Sequence, residues 1–122
     1  MPTVAKLESI TLAEVRDLLG AEVLSEGNDL SFKVEDVGAA DLLSDVLALS
    51  KPGTLLLTGL VSTQVIRTAI VTDLCGVVFV RGKRPGDDIL SLAREAKIPV
   101  LATPLKMFDA AGRLYGAISK CR

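Results

Sequence analysis

Two runs of the chain, Thr54–Thr58 and Gly76–Val80, are almost wholly apolar and show no inside/outside alternation. A strand of that kind has to be covered on both faces. Each run is followed by a helical stripe. Val65, Ile66, Ala69 and Ile70 mark the first, with Ser62 placed to cap it. Ile89, Leu90, Leu92, Ala93 and Ala96 mark the second, and Asp87 and Asp88 sit at its positive end. A third strand is expected over Pro99–Thr103. Thr103-Pro104 then reads as an N-cap with proline at the first helical position, opening a last helix whose buried face carries Met107, Ala111, Leu114, Tyr115 and Ile118. Strands alternating with helices predict a parallel sheet joined by right-handed crossovers. The fold class expected is therefore α/β: a three-layer single domain, residues 1–122, with a mostly parallel sheet built from consecutive strand-helix units.

The first part of the chain is less regular. Thr11 and Glu14 form a capping-box pair before Leu12, Val15, Leu18 and Leu19, and Gly20 supplies the stop. Glu22-Val23-Leu24 reads as a short strand, Glu26–Asp29 as a turn, and Phe32, Val34 and Val37 as an edge strand. A further helix is expected between Asp41 and Leu49, with Asp41 as its N-cap and Leu42, Leu43, Val46, Leu47 and Leu49 as its apolar stripe, ended by Pro52-Gly53.

Composition limits the chemistry available. Hydrophobic residues are 49% of the 122 and aromatics only 3%, so the core is aliphatic, with Met107 and Phe108 expected to join the Leu and Val stripes. There is no histidine, which removes Ser-His-Asp and Cys-His catalysis, HExxH zinc chemistry and haem ligation through histidine from this chain. Two cysteines cannot complete a four-ligand zinc site. Cys75, inside an apolar run, reads as a small core hydrophobe with a raised pKa, and Cys121 as a fraying terminal residue; no disulfide between them is expected. Lys and Arg number 14 against 15 acids, a net charge of −1, which is no footprint for nucleic acid or a membrane surface. Met1–Ile10 lacks the apolar core of a signal peptide, and the run Pro52–Ile66 is too broken and too short to span a bilayer. A cytoplasmic location is expected.

In parallel sheets ligands collect beyond the carboxyl ends of the strands, which directs attention to three loops. Gly59–Thr63 offers backbone amides and the hydroxyls of Ser62 and Thr63 at a helix start, suited to an anion, although no Walker A ending is present; the plainer reading is that Ser62 caps a helix. Arg81, Lys83 and Arg84 place three cations in four residues, either gripping a phosphate or carboxylate or lying as a solvated loop balanced by Asp87 and Asp88. Thr103 belongs to the third loop. Glu35, Asp36, Asp41 and Asp45 form an acidic run, read as a solvated polar face, as Mg²⁺ ligands, or, for Asp41 and Asp45, as a subunit contact facing a partner's basic loop. No catalytic residue and no resident metal or cofactor is assigned.

Three strings carry a resemblance to a known family: Arg81-Gly82-Lys83-Arg84-Pro85-Gly86-Asp87-Asp88, Ala93-Arg94-Glu95-Ala96-Lys97-Ile98-Pro99-Val100-Leu101-Ala102-Thr103, and Phe108-Asp109-Ala110-Ala111-Gly112-Arg113-Leu114-Tyr115. With Asp41-Leu42-Leu43-Ser44-Asp45-Val46 upstream, the chain resembles small stand-alone members of the DRTGG-domain family of bacterial and archaeal proteins over roughly Gly20 to Lys120. The letters Asp-Arg-Thr-Gly-Gly themselves are absent. Leu60-Val61-Ser62-Thr63 and Arg81-Gly82-Lys83 stand in the corresponding loops. The resemblance implies a compact α/β domain similar in fold to the N-terminal domain of HPr kinase, usually a homodimer. It also implies a non-catalytic regulatory or ligand-sensing role; the loops themselves suggest the ligand, a small anion such as a nucleotide seated on Gly59–Thr63 against Arg81, Lys83 and Arg84. The other role open to the chain is that of a protein-interaction accessory, for example of a hydrogenase or serine-kinase system, with no small ligand.

Overall fold

The computed structural model describes residues 10–25 and 30–119. The turn expected at Glu26–Asp29, Cys121 and all but the last residue of Met1–Ile10 lie outside them. The elements in chain order are β1 (Ile10–Thr11), α1 (Leu12–Leu19), β2 (Glu22–Val23), β3 (Lys33–Val34), β4 (Asp36–Ala39), α2 (Leu43–Leu49), β5 (Thr54–Thr58), α3 (Thr63–Thr72), β6 (Gly76–Phe79), α4 (Asp87–Ala96), β7 (Val100–Ala102) and α5 (Met107–Ser119).

Five strands form the main sheet in the order β2-β7-β6-β5-β4. The last four are mutually parallel and stand side by side in chain order, while β2 closes the far edge antiparallel to β7. The apolar strands do alternate, but between two buried faces. Leu56, Val77, Phe79 and Val100 turn toward Val46 of α2, Val65, Ile66 and Ala69 of α3, and Ile89 and Ala93 of α4. Leu55, Leu57, Val78 and Leu101 turn the other way, to Leu12, Val15 and Leu19 of α1 and Ala110 and Leu114 of α5. The result is the three-layer sandwich that continuous apolar strands require.

The early elements divide where one strand was expected. Val34 belongs to β3, which pairs antiparallel with β1 in a separate ribbon, whereas Val37 lies in β4, the edge of the main sheet. The capping box of α1 forms as its residues dictate: Thr11 Oγ1 accepts from the Glu14 amide at 3.2 Å, Glu14 Oε1 accepts from the Thr11 amide at 2.8 Å, and Gly20 is left-handed. Two buried hydroxyls stitch the antiparallel edge. Ser25 Oγ accepts from the Val100 amide at 2.7 Å, and Thr103 Oγ1 donates to the Leu19 carbonyl at 2.7 Å.

Several expected core positions are on the surface instead. Phe108, Tyr115, Ile70 and Leu47 are exposed, because the buried arcs of their helices run through Ala110 and Leu114, Val65 and Ala69, and Val46. Leu42 is exposed ahead of α2 rather than within it. The last helix begins at Met107 and not at Pro104, since Thr103 is held on β7 by the bond to Leu19.

α4 ends on Lys97 in the left-handed region, φ 60°, an exposed position where a β-carbon is disfavoured. Lys97→Gly is expected to raise stability by about 0.5–1 kcal/mol, relief of the left-handed penalty exceeding the added freedom of the unfolded chain, as read from urea unfolding midpoints. Cys75 is partly buried, and desolvation, with a further push from the negative charge of Glu35, raises its thiol to about 11. At pH 7 only about one thiol in ten thousand is ionised, so in a Cys121→Ser background Cys75 is expected to react with a disulfide reagent only as the protein unfolds.

Candidate functional site

The parallel register brings the carboxyl ends of β4, β5, β6 and β7 to one edge of the sheet, so the loops after these strands are neighbours. Gly59 follows β5 directly and is buried. Arg81 follows β6 by two residues and adopts the left-handed conformation, φ 61°, followed by Gly82 at φ 70°. Two successive left-handed residues reverse the chain and fold Arg81 back across β5. A β-carbon built on Gly59 would lie 3.2 Å from Arg81 Cζ and closer still to Nη2. Glycine is thus needed here to let the guanidinium lie on the backbone. The reversal is fixed from the other side by the β7–α5 connection: the Arg81 amide donates to the Leu105 carbonyl at 2.7 Å and the Gly82 amide to the Thr103 carbonyl at 2.9 Å.

Asp41 completes the arrangement. It does not cap α2, whose N-cap is Leu42 with no side-chain bond. Its Oδ1 instead accepts from the Gly59 amide at 2.8 Å and from Thr58 Oγ1 at 3.3 Å, tying the end of β4 to the end of β5. Gly38-Ala39-Ala40 has poor strand character, so the sequence gives little sign that β4 runs far enough to bring Asp41 to this edge. Strand length, read one residue pair further, is the signal that would have found it.

Ser62 occupies the N-cap position of α3, but its hydroxyl makes no capping bond. The Thr63 and Gln64 amides of the first turn have no intrahelical acceptor by geometry. Uncommitted donors therefore lie at the start of α3, at Ser62, Thr63 and Gln64, while Arg81, lying over Gly59 at the head of the same loop, brings a guanidinium that makes no ion pair among the described residues. Lys83 is exposed on the same loop and likewise makes no ion pair among them. The set can bind the oxygens of a phosphate or carboxylate through charge-assisted bonds.

Two expected members are placed elsewhere. Thr103 is buried with its hydroxyl committed to Leu19 and to the Leu105 amide. Arg84 turns to β2, where Nη1 and Nη2 meet Glu22 Oε1 and Oε2 at 2.9 and 3.3 Å, a two-point grip that a planar guanidinium favours. Hydrogen bonding to Arg84, and then its charge, hold the Glu22 carboxyl below its ordinary pKa. A lowered folded-state value means that the pair's contribution is present above the unfolded carboxyl's pKa. It is lost as pH falls through the lowered one. Both side chains are exposed, so Arg84→Ala is expected to leave stability near neutral pH almost unchanged while moving the Glu22 carbon-detected titration midpoint upward.

The acidic run does not gather into one cluster. Asp36 Oδ1 accepts from the Val37 amide at 3.0 Å and Oδ2 lies 3.7 Å from Lys51 Nζ, Asp41 is at the carboxyl edge, and Asp45 is exposed on α2. Among the described residues no three Cys, Asp or Glu side chains come together to hold a metal ion. None of the described helices is long and apolar enough to cross a membrane.

The DRTGG-domain family model matches residues 14–117. No curated protein matches the chain. A similar solved structure is that of the CBS and DRTGG domains of the regulatory region of a Clostridium perfringens pyrophosphatase, complexed with its activator diadenosine tetraphosphate. It superposes with a TM-score of 0.71 at 22% identity over 88% of this chain. This chain spans 47% of that one.

Proposed function

Because the chain belongs to the DRTGG-domain family, we propose that it is a non-catalytic regulatory module that senses a small anionic ligand, a nucleotide foremost, at the carboxyl edge of its parallel sheet. The observation that carries this reading is Arg81: a guanidinium with no ion pair among the described residues, held over Gly59 in the loop that leads into α3. Ser62 and Thr63 would supply hydroxyl and amide donors, Arg81 a planar grip, and Lys83 a mobile charge at the rim. Asp41, already bonded through Oδ1, would keep Gly59 and Thr58 in place rather than meet the anion. The pyrophosphatase regulatory region, complexed with a nucleotide activator, supports the ligand class.

Binding regulates only through differential affinity for two states. Here the Arg81-Gly82 reversal is bonded to Thr103 and Leu105, so a ligand that draws on Arg81 bears directly on the entry to α5. A homodimer in the cytoplasm is part of this reading. The second reading, a protein-interaction accessory without a small ligand, draws on Leu42, Leu47, Phe108 and Tyr115, large apolar side chains left in water.

A thermal-shift screen of nucleotides, diadenosine tetraphosphate and inorganic phosphates separates the two. A ligand at 100 times its dissociation constant is expected to add about 2.7 kcal/mol of stability. No shift with any of these compounds would leave the accessory reading in possession.

A further inference from the structure

We infer that the open edge of β4 takes up an extended basic segment of another protein as a further strand of the main sheet, with one arginine or lysine of that segment seated between β4 and α2. Hydrogen bonding along β4 sets the geometry. The Ala40 amide donates to the Leu57 carbonyl of β5 at 3.1 Å. Strand alternation then turns Gly38 toward β5 as well, and points the polar groups of Val37 and Ala39 away from it, along the open edge. The Val37 amide is met there by a side chain, Asp36 Oδ1 at 3.0 Å. The Ala39 amide and the carbonyls of Val37 and Ala39 have no hydrogen-bond partner among the described residues.

The two edges of the sheet differ. β2, at the far side, is two residues long and its Glu22 is paired with Arg84; short, charged edges resist further pairing. β4 ends instead on Val37-Gly38-Ala39, which carries no charge, and Ala39 is exposed. Gly38 is in register with Leu56 and so shares the face that α2 covers. A β-carbon there would make only an ordinary contact, 3.6 Å to Thr54 Cγ2, so packing does not demand the glycine. Its missing side chain leaves a groove of about 310 Å³ between β4 and α2, floored by Gly38 and Ala40 and walled by Val46 and Ser50.

Cross-strand neighbours share a face, so the residue of an added strand opposite Gly38 directs its side chain to this groove, whichever way the segment runs. Charge decides what that side chain is. Among the described residues, the charged groups lining the groove are Asp36 and Asp45. Asp45 makes no ion pair among them, and Asp36 has Lys51, exposed and 3.7 Å away. A long cationic side chain lays its stem along the apolar floor and carries its charge to Asp45. Main-chain bonds to Val37 and Ala39 give affinity, and this one side chain gives selectivity.

End-capped heptapeptides that alternate valine with arginine, or valine with glutamate, titrated into the full chain test this through its amide resonances. The arginine peptide is expected to saturate with a dissociation constant below about 1 mM, shifting Gly38–Ala40 and Asp45 most. The glutamate peptide is expected to bind at least about tenfold more weakly. Ala39→Pro removes the outward amide without costing the β4–β5 ladder a bond, and is expected to weaken the arginine peptide about tenfold with folding intact. Asp45→Lys, a surface change, is expected to reverse the preference, so that the glutamate peptide binds more tightly. No saturable binding of the arginine peptide, binding indifferent to both substitutions, or an edge already paired with a second copy of the chain would overturn the assignment. Neither substitution touches Arg81, so the nucleotide-induced thermal shift stands or fails separately.

Discussion

Phe79→Ala is expected to cost about 3–5 kcal/mol, the range for emptying an aromatic site in a packed core. Phe79 is fully buried in β6, a central strand, and packs among the side chains of α3 and α4. β6 is hydrogen-bonded on both sides, to β5 and β7, so neither neighbour can move in to close the cavity. Against a total of about 5–15 kcal/mol for a domain of ordinary stability, the loss is a large share. It should lower the thermal midpoint by roughly 10–20 °C. Phe108→Ala, the same chemical change on the surface of α5, is expected to alter the unfolding free energy of the isolated fold by less than about 0.5 kcal/mol. Urea unfolding of both variants checks the contrast; a cost below 1 kcal/mol at Phe79 would contradict the core as described.

The second large effect concerns binding. Arg81 already has a positive φ, so Arg81→Gly removes the guanidinium while keeping a backbone conformation that glycine accepts without strain. The variant is expected to retain or slightly gain stability and to lose most of the ~2.7 kcal/mol that a saturating anionic ligand adds to the wild type. Gly59→Ala should act in the same direction by another route. The added methyl meets the far end of a flexible side chain rather than backbone, so Arg81 is pushed off its seat while the strand stays in place. Arg84→Ala is the control: its guanidinium is bonded to Glu22 and should leave the ligand-induced shift nearly intact.

What the sequence made legible follows from how local each signal is. α1 could be read almost to the residue because its capping box and left-handed glycine are encoded within ten positions. β5 and β6 were legible because burial on both faces leaves an unmistakable apolar run, and β7 because it continues the strand-helix rhythm they set. The loops at their carboxyl ends followed from that, and with them Gly59 and Arg81. The rest depends on distant partners. Asp41 sits where a helix cap belongs, but the amide of Gly59 and the hydroxyl of Thr58 claim it instead. Thr103 is drawn from its helix by the Leu19 carbonyl, 84 positions away, and Arg84 from its loop by Glu22, 62 positions away. The apolar residues of α5 form two stripes rather than one, and periodicity alone does not say which of them faces the sheet.

The site itself is tested most directly by following backbone amide resonances as a nucleotide or diadenosine tetraphosphate is titrated into the full chain. Saturable shifts concentrated at Val61–Gln64 and Arg81–Lys83, and lost in Arg81→Gly, are the result expected. Shifts that are absent in the wild type, that fall elsewhere on the fold, or that survive Arg81→Gly unchanged would contradict an anion site at the carboxyl edge of this sheet.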